Sequence, residues 1–268
     1  MSVSGDSWSS GDAYEVYMGR WSRSLARVFL EWLRIKPSAH WLDLGCGTGA
    51  LTSTICEICN PASVLGCDLA EPFVAHARRN AADKRATFVV AGAEALPTRQ
   101  GGFDAIVSGL VLNFVPDATL AVQSMRERVC PGGTVAAYVW DYASGLEFLR
   151  HFWDEATASD PGAAALDEGG RFPLCQPPAL ASVFVAAGLE AVETTSLEIP
   201  TAFADFDDFW KPFLGGTGPA PAYVASLDPA RRESLKTRLR RRIVSDADGH
   251  IRLGARAWAV RGRVAEQR

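Results

Sequence analysis

The sequence predicts an α/β fold in which helices cover both faces of a doubly wound parallel sheet. Three observations lead to this prediction. Short buried strands alternate with helical segments over residues 38–140, a glycine-rich turn follows the first strand, and an acidic residue ends the second. Strand–helix alternation of this kind gives parallel strands joined by right-handed crossovers.

The composition is that of a globular protein. The chain has 268 residues, of which 48% are hydrophobic and 22% charged, and its formal net charge is −4. These values exclude a disordered, collagen-like or coiled-coil chain. No apolar run is long enough to cross a bilayer, and the N-terminus has neither the basic start nor the apolar stretch of a signal peptide. We therefore expect a cytoplasmic protein with no membrane partner.

The cysteines do not predict a metal site or a disulfide framework. Six cysteines in a chain of this length are typical of a reducing compartment. Cys56 and Cys59 form a CxxC pair, but no second pair or histidine cluster follows, as a structural zinc site requires. We expect two small apolar helix residues there and no bound metal.

Five strands are predicted in the first half of the chain, after a helix that ends near Leu33. Their predicted bounds are His40–Leu44, Ser63–Asp68, Ala86–Ala91, Phe103–Ser108 and Thr134–Trp140. The segment Pro131-Gly132-Gly133 predicts a turn before the fifth strand. Two further strands are predicted at Leu189–Ile199 and Ile251–Val260, with helical and aromatic-rich segments between them.

A basic helix is predicted near the C-terminus. Residues 223–268 contain twelve basic and five acidic residues, and Leu235, Leu239 and Ile243 form one apolar stripe on a helix with a basic outer face. A basic patch can bind nucleic acid, but a solvated helix face is the commoner structure. We therefore do not expect a nucleic-acid partner.

The strongest signal is the segment Leu42–Gly49, which reads LDLGCGTG at the first strand–helix junction. Its glycines allow the backbone to approach a ligand and to turn into the helix. In doubly wound sheets, ligands bind at the carboxyl ends of the strands, and an acid about 20 residues further on holds a ribose. Asp68 is such an acid. A purely structural glycine turn is the alternative.

Asp43 distinguishes between two kinds of ligand. Gly45, Gly47 and Ala50 also satisfy the dinucleotide pattern GxGxx(G/A), so the glycines alone are ambiguous. A carboxylate two residues before the first glycine would repel a pyrophosphate, whereas it suits an ammonium or sulfonium group. The sequence therefore favours a cationic nucleoside over NAD, and an NAD(P)-dependent oxidoreductase is the alternative.

These segments resemble those of the class I S-adenosylmethionine-dependent methyltransferases, with a Rossmann-like core. LDLGCGTG is similar to their motif I, Asp68 to their ribose-binding acid, and residues 93–97 (AEALP) to the segment that contacts adenine. FDAIVS at residues 103–108 is similar to the fourth strand of this family, and the PGG segment is similar to its turn before the fifth strand. The resemblance implies binding of S-adenosylmethionine, release of S-adenosylhomocysteine, and a cofactor site formed by Tyr17, Arg20, Asp43, Gly45, Cys46, Gly47, Gly49, Asp68, Leu69, Ala93, Glu94 and Ser108.

The N-terminal segment YMGRW resembles the lead-in helix of a small-molecule branch that includes ubiquinone/menaquinone-biosynthesis-like enzymes. This likeness implies that Tyr17 and Arg20 close over the methionine end of the cofactor. It also implies a seven-stranded sheet whose last strand is antiparallel and inserts between strands five and six. Two positions depart from the family: Gly92 replaces a common aspartate, and Asn113 lies where relatives carry histidines.

The predicted organisation has four parts. Residues 1–37 form an N-terminal lid helix, residues 38–140 the cofactor-binding core, and residues 141–180 a mostly helical cap insertion. Residues 181–268 complete the sheet and contain a helical insertion over 200–248. The cap segments are rich in aromatic residues, which predicts an enclosed apolar pocket for the acceptor.

Two catalytic candidates lie after the fifth strand. His151 is a possible base in the cap helix, and Asp141 follows the strand directly and is placed to orient a substrate. The alternatives are an exposed helical histidine and a turn cap. We predict in-line methyl transfer to a small, apolar or aromatic acceptor by a monomer or homodimer. The other functions left open are a non-catalytic cofactor-binding or regulatory protein and an RNA methyltransferase.

Overall fold

A computed structural model describes residues 19–215 and 218–266. Seven strands form one sheet in the order β3-β2-β1-β4-β5-β7-β6. Strand β7 is antiparallel to both neighbours, β5 and β6, which confirms the predicted insertion of the last strand. The strands are β1 (His40–Leu44), β2 (Ser63–Asp68), β3 (Ala86–Val90), β4 (Phe103–Gly109), β5 (Val129–Trp140), β6 (Glu190–Phe203) and β7 (Ile251–Arg263).

Helices connect the strands and form the cap. Within the described ranges, none is long and apolar enough to cross a membrane. They are α1 (Arg20–Leu33), α2 (Ala50–Ile58), α3 (Glu71–Asn80), α4 (Ala118–Arg126), α5 (Glu147–Ser159), α6 (Glu168–Arg171), α7 (Pro177–Ala186), α8 (Phe206–Trp210), α9 (Pro219–Ser226) and α10 (Pro229–Arg242).

The centre of the sheet is buried on both faces. Residues 135–140 of β5 are all buried although their side chains alternate between the two faces of the sheet. Helices α1 and α2 pack on each other, and α4 packs on α7. This burial explains why the parallel strands are continuous apolar runs rather than alternating ones.

Strand β5 begins earlier than its sequence predicts. The turn expected at Pro131-Gly132-Gly133 lies inside the strand, because Val129 already pairs with Phe103 and the register shifts before Ala105 pairs with Thr134. Gly132 has φ +75°, and a Cβ on Gly133 would lie 2.5 Å from the Val129 side chain. The glycines therefore form an irregularity within the strand instead of ending it.

The cap shares one hydrophobic core with the sheet. Phe152 of α5 stacks on Phe213, with ring centroids 4.5 Å apart and an interplanar angle of 12°. Trp21 of α1 lies 5.1 Å from Phe148 of α5 by ring centroids. The predicted cap segments are therefore packed against α1.

The basic face of α10 is largely exposed, as expected for a solvated face, and three of its arginines also pair with acids of the cap. Arg238 pairs with Glu155 of α5 at 2.8 Å, and Arg240 pairs with Asp207 of α8 at 3.1 Å. Arg242 contacts Glu155 and Asp154. These three arginines therefore contribute to the packing of α10 on the acidic helices α5 and α8 of the cap.

Candidate functional site

A cavity of about 280 Å³ lies at the carboxyl ends of β1, β2, β4 and β5. This is where doubly wound sheets bind ligands. Its lining comprises Ser22, Asp43, Gly45, Cys46, Gly47, Thr48, Ala50, Leu51, Asp68, Leu69, Ala70, Phe73, Gly109, Leu110, Val111, Phe114, Tyr138, Trp140 and Tyr142.

The glycine turn after β1 forms one side of the cavity. Gly45 and Gly47 have φ values of +73° and +52°, which glycine adopts without strain. A Cβ on Gly45 would lie 2.6 Å from Val111, whereas Gly47 faces open space. The amides of Gly45 and Cys46 both donate to the Cys67 carbonyl, at 2.8 and 3.0 Å. These contacts fix the turn against β2.

Asp43 is a buried carboxyl in the cavity lining, with 1% of its surface exposed. The Thr52 hydroxyl donates to its Oδ2 at 2.7 Å. Burial raises the pKa of Asp43 to about 7, the hydrogen bond from Thr52 opposes this rise, and the nearby Asp68 adds to it. A cationic ligand group beside Asp43 would favour the ionised form.

Asp68 ends β2 opposite the glycine turn. Its Oδ2 accepts from the Gly47 amide at 3.0 Å and its Oδ1 from the Ala70 amide at 2.9 Å. Burial raises the pKa of Asp68, and these backbone hydrogen bonds counteract the rise. Next to it, Leu69 lines the cavity with 77% of its surface exposed. A Cβ on Gly92 would lie 2.7 Å from Leu69, so a side chain at position 92 would displace that leucine.

The carboxyl ends of β4 and β5 meet on the other side of the cavity. A Cβ on Gly109 would lie only 2.5 Å from the Tyr138 hydroxyl oxygen, so glycine is required for this close approach. Leu110 follows with φ +63°, and its amide donates to the Tyr138 carbonyl at 2.8 Å. A non-glycine residue with positive φ marks backbone strain, which clusters at functional sites.

Half of the predicted cofactor residues lie in the cavity lining: Asp43, Gly45, Cys46, Gly47, Asp68 and Leu69. Gly49 instead precedes α2 as its N-cap, with φ +91°. Ser108 is fully buried and does not line the cavity. Ala93 and Glu94 lie in a short 3₁₀ helix outside the lining, and Glu94 is exposed.

The structure does not bring Arg20 to the cavity. Its guanidinium forms a bidentate pair with Asp208, at 3.1 and 3.2 Å, and also donates to the Ala202 carbonyl at 3.2 Å. Arg20 therefore joins α1 to the cap, and the cavity is lined by its neighbour Ser22 instead. The other residue expected over the methionine end, Tyr17, lies outside the described residues.

Neither catalytic candidate lines the cavity. His151 accepts a hydrogen bond at Nδ1 from Arg242 at 2.9 Å, and burial together with the Arg242 charge lowers its pKa. Asp141 is buried, pairs with Arg256 at 2.7 Å and accepts from the Ser144 amide at 3.1 Å. These positions correspond to the alternative interpretations, a helix-surface histidine and a turn cap.

Several lining residues were missed by the sequence reasoning. Val111 and Phe114 follow β4, and Tyr138 lies near the end of β5. Their common signal is position: each lies near the carboxyl end of a central parallel strand. Ser22 had no such signal, because its place depends on how α1 packs.

The charges of the lining fit a cationic nucleoside. Its charged residues are the two acids Asp43 and Asp68, and no lysine, arginine or histidine is found among the described lining residues. Asp68 lies at the ribose-binding position of the fold. The buried Asp43 carboxyl provides a counter-charge for an ammonium or sulfonium group.

Comparisons with known proteins agree with this site. Residues 42–137 match the methyltransferase domain family. The ribosomal protein L11 methyltransferase of Burkholderia orbicola is 32% identical over 120 residues, which cover 44% of this chain and 38% of that protein. The chain thus matches well under two thirds of the length of this curated relative.

Solved structures share the fold over most of the chain. YcgJ from Bacillus subtilis superposes with a TM-score of 0.58 and 16% identity, covering 91% of this chain and 99% of that one. Phosphoethanolamine N-methyltransferase 2 of Haemonchus contortus, solved with phosphomonomethylethanolamine and S-adenosylhomocysteine, has a TM-score of 0.56 and 17% identity. It covers 96% of this chain and 57% of that one.

The fold and the family match define the class. The chain carries a class I methyltransferase domain with a Rossmann-like sheet. Residues 42–137 thus carry the methyltransferase domain that the sequence motifs predicted. The NAD(P)-dependent alternative is therefore set aside.

Proposed function

We propose that the protein transfers a methyl group from S-adenosylmethionine to a small, uncharged acceptor with an apolar or aromatic body. The observation that carries this proposal is that the cavity has an acidic side and an aromatic side. Its two acids lie at the ends of β1 and β2, whereas Phe114, Trp140 and Tyr142 form an aromatic wall at the ends of β4 and β5.

The acidic half suits the cofactor. S-adenosylmethionine supplies, when bound, a methyl group on a positively charged sulfur that leaves as a neutral thioether. Asp43 provides negative charge in a buried position, and Asp68 is placed to hold a ribose diol. Leu69 offers an exposed apolar surface for the adenine ring, and Gly47, which has no side chain, leaves space for the cofactor to approach the backbone.

The aromatic half suits the acceptor. Phe114, Trp140 and Tyr142 exclude water, and the Tyr138 hydroxyl is a polar group able to orient an acceptor atom. Holding two reactants aligned in a dry site provides a large part of the rate of a displacement reaction. Because neither His151 nor Asp141 lines the cavity, we assign no general base to them.

The distribution of charge favours an uncharged acceptor over RNA. A phosphate group would meet two carboxylates in the lining and no basic side chain among the described lining residues. Residues 1–18 contain no lysine, arginine or histidine, so that segment adds no basic side chain. The basic helix α10 uses Arg238, Arg240 and Arg242 to contact acids of the cap.

The test is a transfer assay with S-adenosylmethionine labelled on its methyl group. The acceptors are 2-naphthol and 2-naphthylamine, their charged analogue 2-naphthyl phosphate, bulk tRNA, and a mixture of ribosomal proteins. We expect label in the neutral aromatic compounds, and none when Asp68→Ala replaces the wild type. Label in RNA or protein alone would contradict the proposal. Cofactor binding without any labelled product would instead favour a non-catalytic protein.

The location and the assembly are further predictions from the sequence. The six cysteines are free thiols in the structure. A cytoplasmic location and a monomeric or homodimeric state stay predictions.

A further inference from the structure

The cap contacts the aromatic wall of the cavity through Phe172, which follows α6. The Phe172 ring lies 5.2 Å from that of Phe114 at an interplanar angle of 80°, and 5.3 Å from that of Tyr142 at 43°. Phe114 and Tyr142 line the cavity, but Phe172 does not. Phe172 therefore packs on two wall residues without lining the cavity itself.

Phe172 connects two segments that are separate in the chain. Phe114 ends a short 3₁₀ turn after β4, and Tyr142 follows β5. Edge-to-face and tilted contacts at these distances are favourable arrangements of aromatic rings. The Phe172 side chain of the cap thus contacts both wall residues at once.

The cap itself holds Phe172 in place. Asp167 accepts from Arg150 of α5 at 2.9 Å, and the buried Glu168 carboxyl accepts from the indole N–H of Trp153, also in α5. The Phe172 amide donates to the Glu168 carbonyl at 3.2 Å. The segment that carries Phe172 is therefore tied to α5 by two pairs of side chains, Arg150–Asp167 and Trp153–Glu168.

We propose that Phe172 is a specificity-determining residue that sets the size of the acceptor. It does so by holding the rings of Phe114 and Tyr142 in the cavity wall. Removing the Phe172 ring leaves space beside both wall rings, and the acceptor half of the cavity then admits a larger body. The inference rests on the proposed function, because it assumes that the acceptor occupies the aromatic half.

The test compares Phe172→Ala with the milder Phe172→Leu and with the control Phe206→Ala. Phe206 is also a partly buried cap phenylalanine, but it packs on Phe209 and Arg240 away from the cavity lining. The probes are phenol, 2-naphthol and 1-hydroxypyrene, added to protein saturated with S-adenosylhomocysteine. Binding of each probe is measured by saturation-transfer NMR, and affinity for S-adenosylhomocysteine by calorimetry.

We expect Phe172→Ala to shift the affinity ratio of 1-hydroxypyrene to 2-naphthol at least about tenfold towards the larger ring. Phe172→Leu should give a smaller shift, and Phe206→Ala none. Affinity for S-adenosylhomocysteine should stay within about twofold of wild type in all three variants, which shows that they fold.

Two results would overturn the inference, and they separate it from the proposed function. Wild-type binding of the rings with an unchanged size profile in Phe172→Ala, or an equal shift in Phe206→Ala, contradicts the role of Phe172 alone. Absence of ring binding in wild type and variants alike contradicts both this role and the proposed acceptor.

Discussion

Replacing Asp43 by asparagine should stabilise the protein and weaken cofactor binding at the same time. The pKa of this buried carboxyl is raised from 3.8 to about 7, mainly by burial. Asparagine keeps an oxygen that can accept the hydrogen bond from the Thr52 hydroxyl, which is 2.7 Å long in the wild type. The substitution therefore removes the charge with little change in shape.

The sign and size of the stability change follow from proton linkage. Below pH 3.8 the carboxyl is protonated in both the folded and the unfolded protein, so its burial costs nothing. Between pH 3.8 and about 7 the carboxyl ionises in the unfolded protein but stays mostly protonated in the folded one, so the folded state progressively loses stability. At roughly 1.4 kcal/mol per pKa unit, ionisation of Asp43 lowers the free energy of unfolding by roughly 1.5 kcal/mol at pH 5 and by on the order of 4 kcal/mol at pH 8.

Urea denaturation of both proteins at pH 5 and pH 8 measures this cost. We expect the free energy of unfolding of Asp43→Asn to exceed that of wild type, and the excess to be larger at pH 8. Calorimetry at pH 7 should show affinity for S-adenosylmethionine about 10- to 100-fold weaker, as for loss of a charged hydrogen bond. An excess that does not change with pH would show that ionisation of Asp43 does not destabilise the fold, and unchanged affinity would show that its charge does not hold the cofactor.

Three further predictions concern other parts of the site. Asp68→Ala should weaken S-adenosylmethionine binding about 100-fold by calorimetry, and wild-type affinity would exclude its ribose-binding role. Gly109→Ala should lower the transfer rate at least about tenfold, because its Cβ would lie 2.5 Å from the Tyr138 hydroxyl; an unchanged rate would show that this approach is not needed. His151→Ala should keep transfer within about twofold of wild type, and a tenfold loss would require a base in the cap.

The core of the fold could be predicted because its signals are local. Strand β1, helix α2 and the acid at the end of β2 all lie within the 29 residues from His40 to Asp68. Glycines with positive φ at positions 45, 47 and 49 leave a direct trace in the sequence. These features predicted residues that line the acidic half of the cavity.

Three predicted site residues that do not line the cavity have partners far away in the chain. Arg20 pairs with Asp208, which is 188 positions away, and Asp141 pairs with Arg256, 115 positions away. Arg242 reaches His151 across 91 positions. No local pattern distinguishes a charge that pairs across the fold from one that faces a ligand, so these residues could not be assigned from the sequence.

The acceptor half of the cavity was only partly predictable. The abundance of aromatic residues after β5 indicated an apolar pocket, but it did not separate wall residues such as Tyr142 from core residues such as Phe152. In the sequence Tyr138 is indistinguishable from other buried strand residues. Only the structure shows that its hydroxyl lies next to Gly109. Tertiary packing, and not composition, makes these side chains part of the site.

The most direct test of the central claim is calorimetric titration of the purified protein with S-adenosylmethionine, S-adenosylhomocysteine and NADH under identical conditions. We expect both adenosyl-sulfur ligands to bind, NADH not to bind, and Asp68→Ala to lose the binding. Binding of NADH without the adenosyl-sulfur ligands, or equal binding by Asp68→Ala, would contradict it.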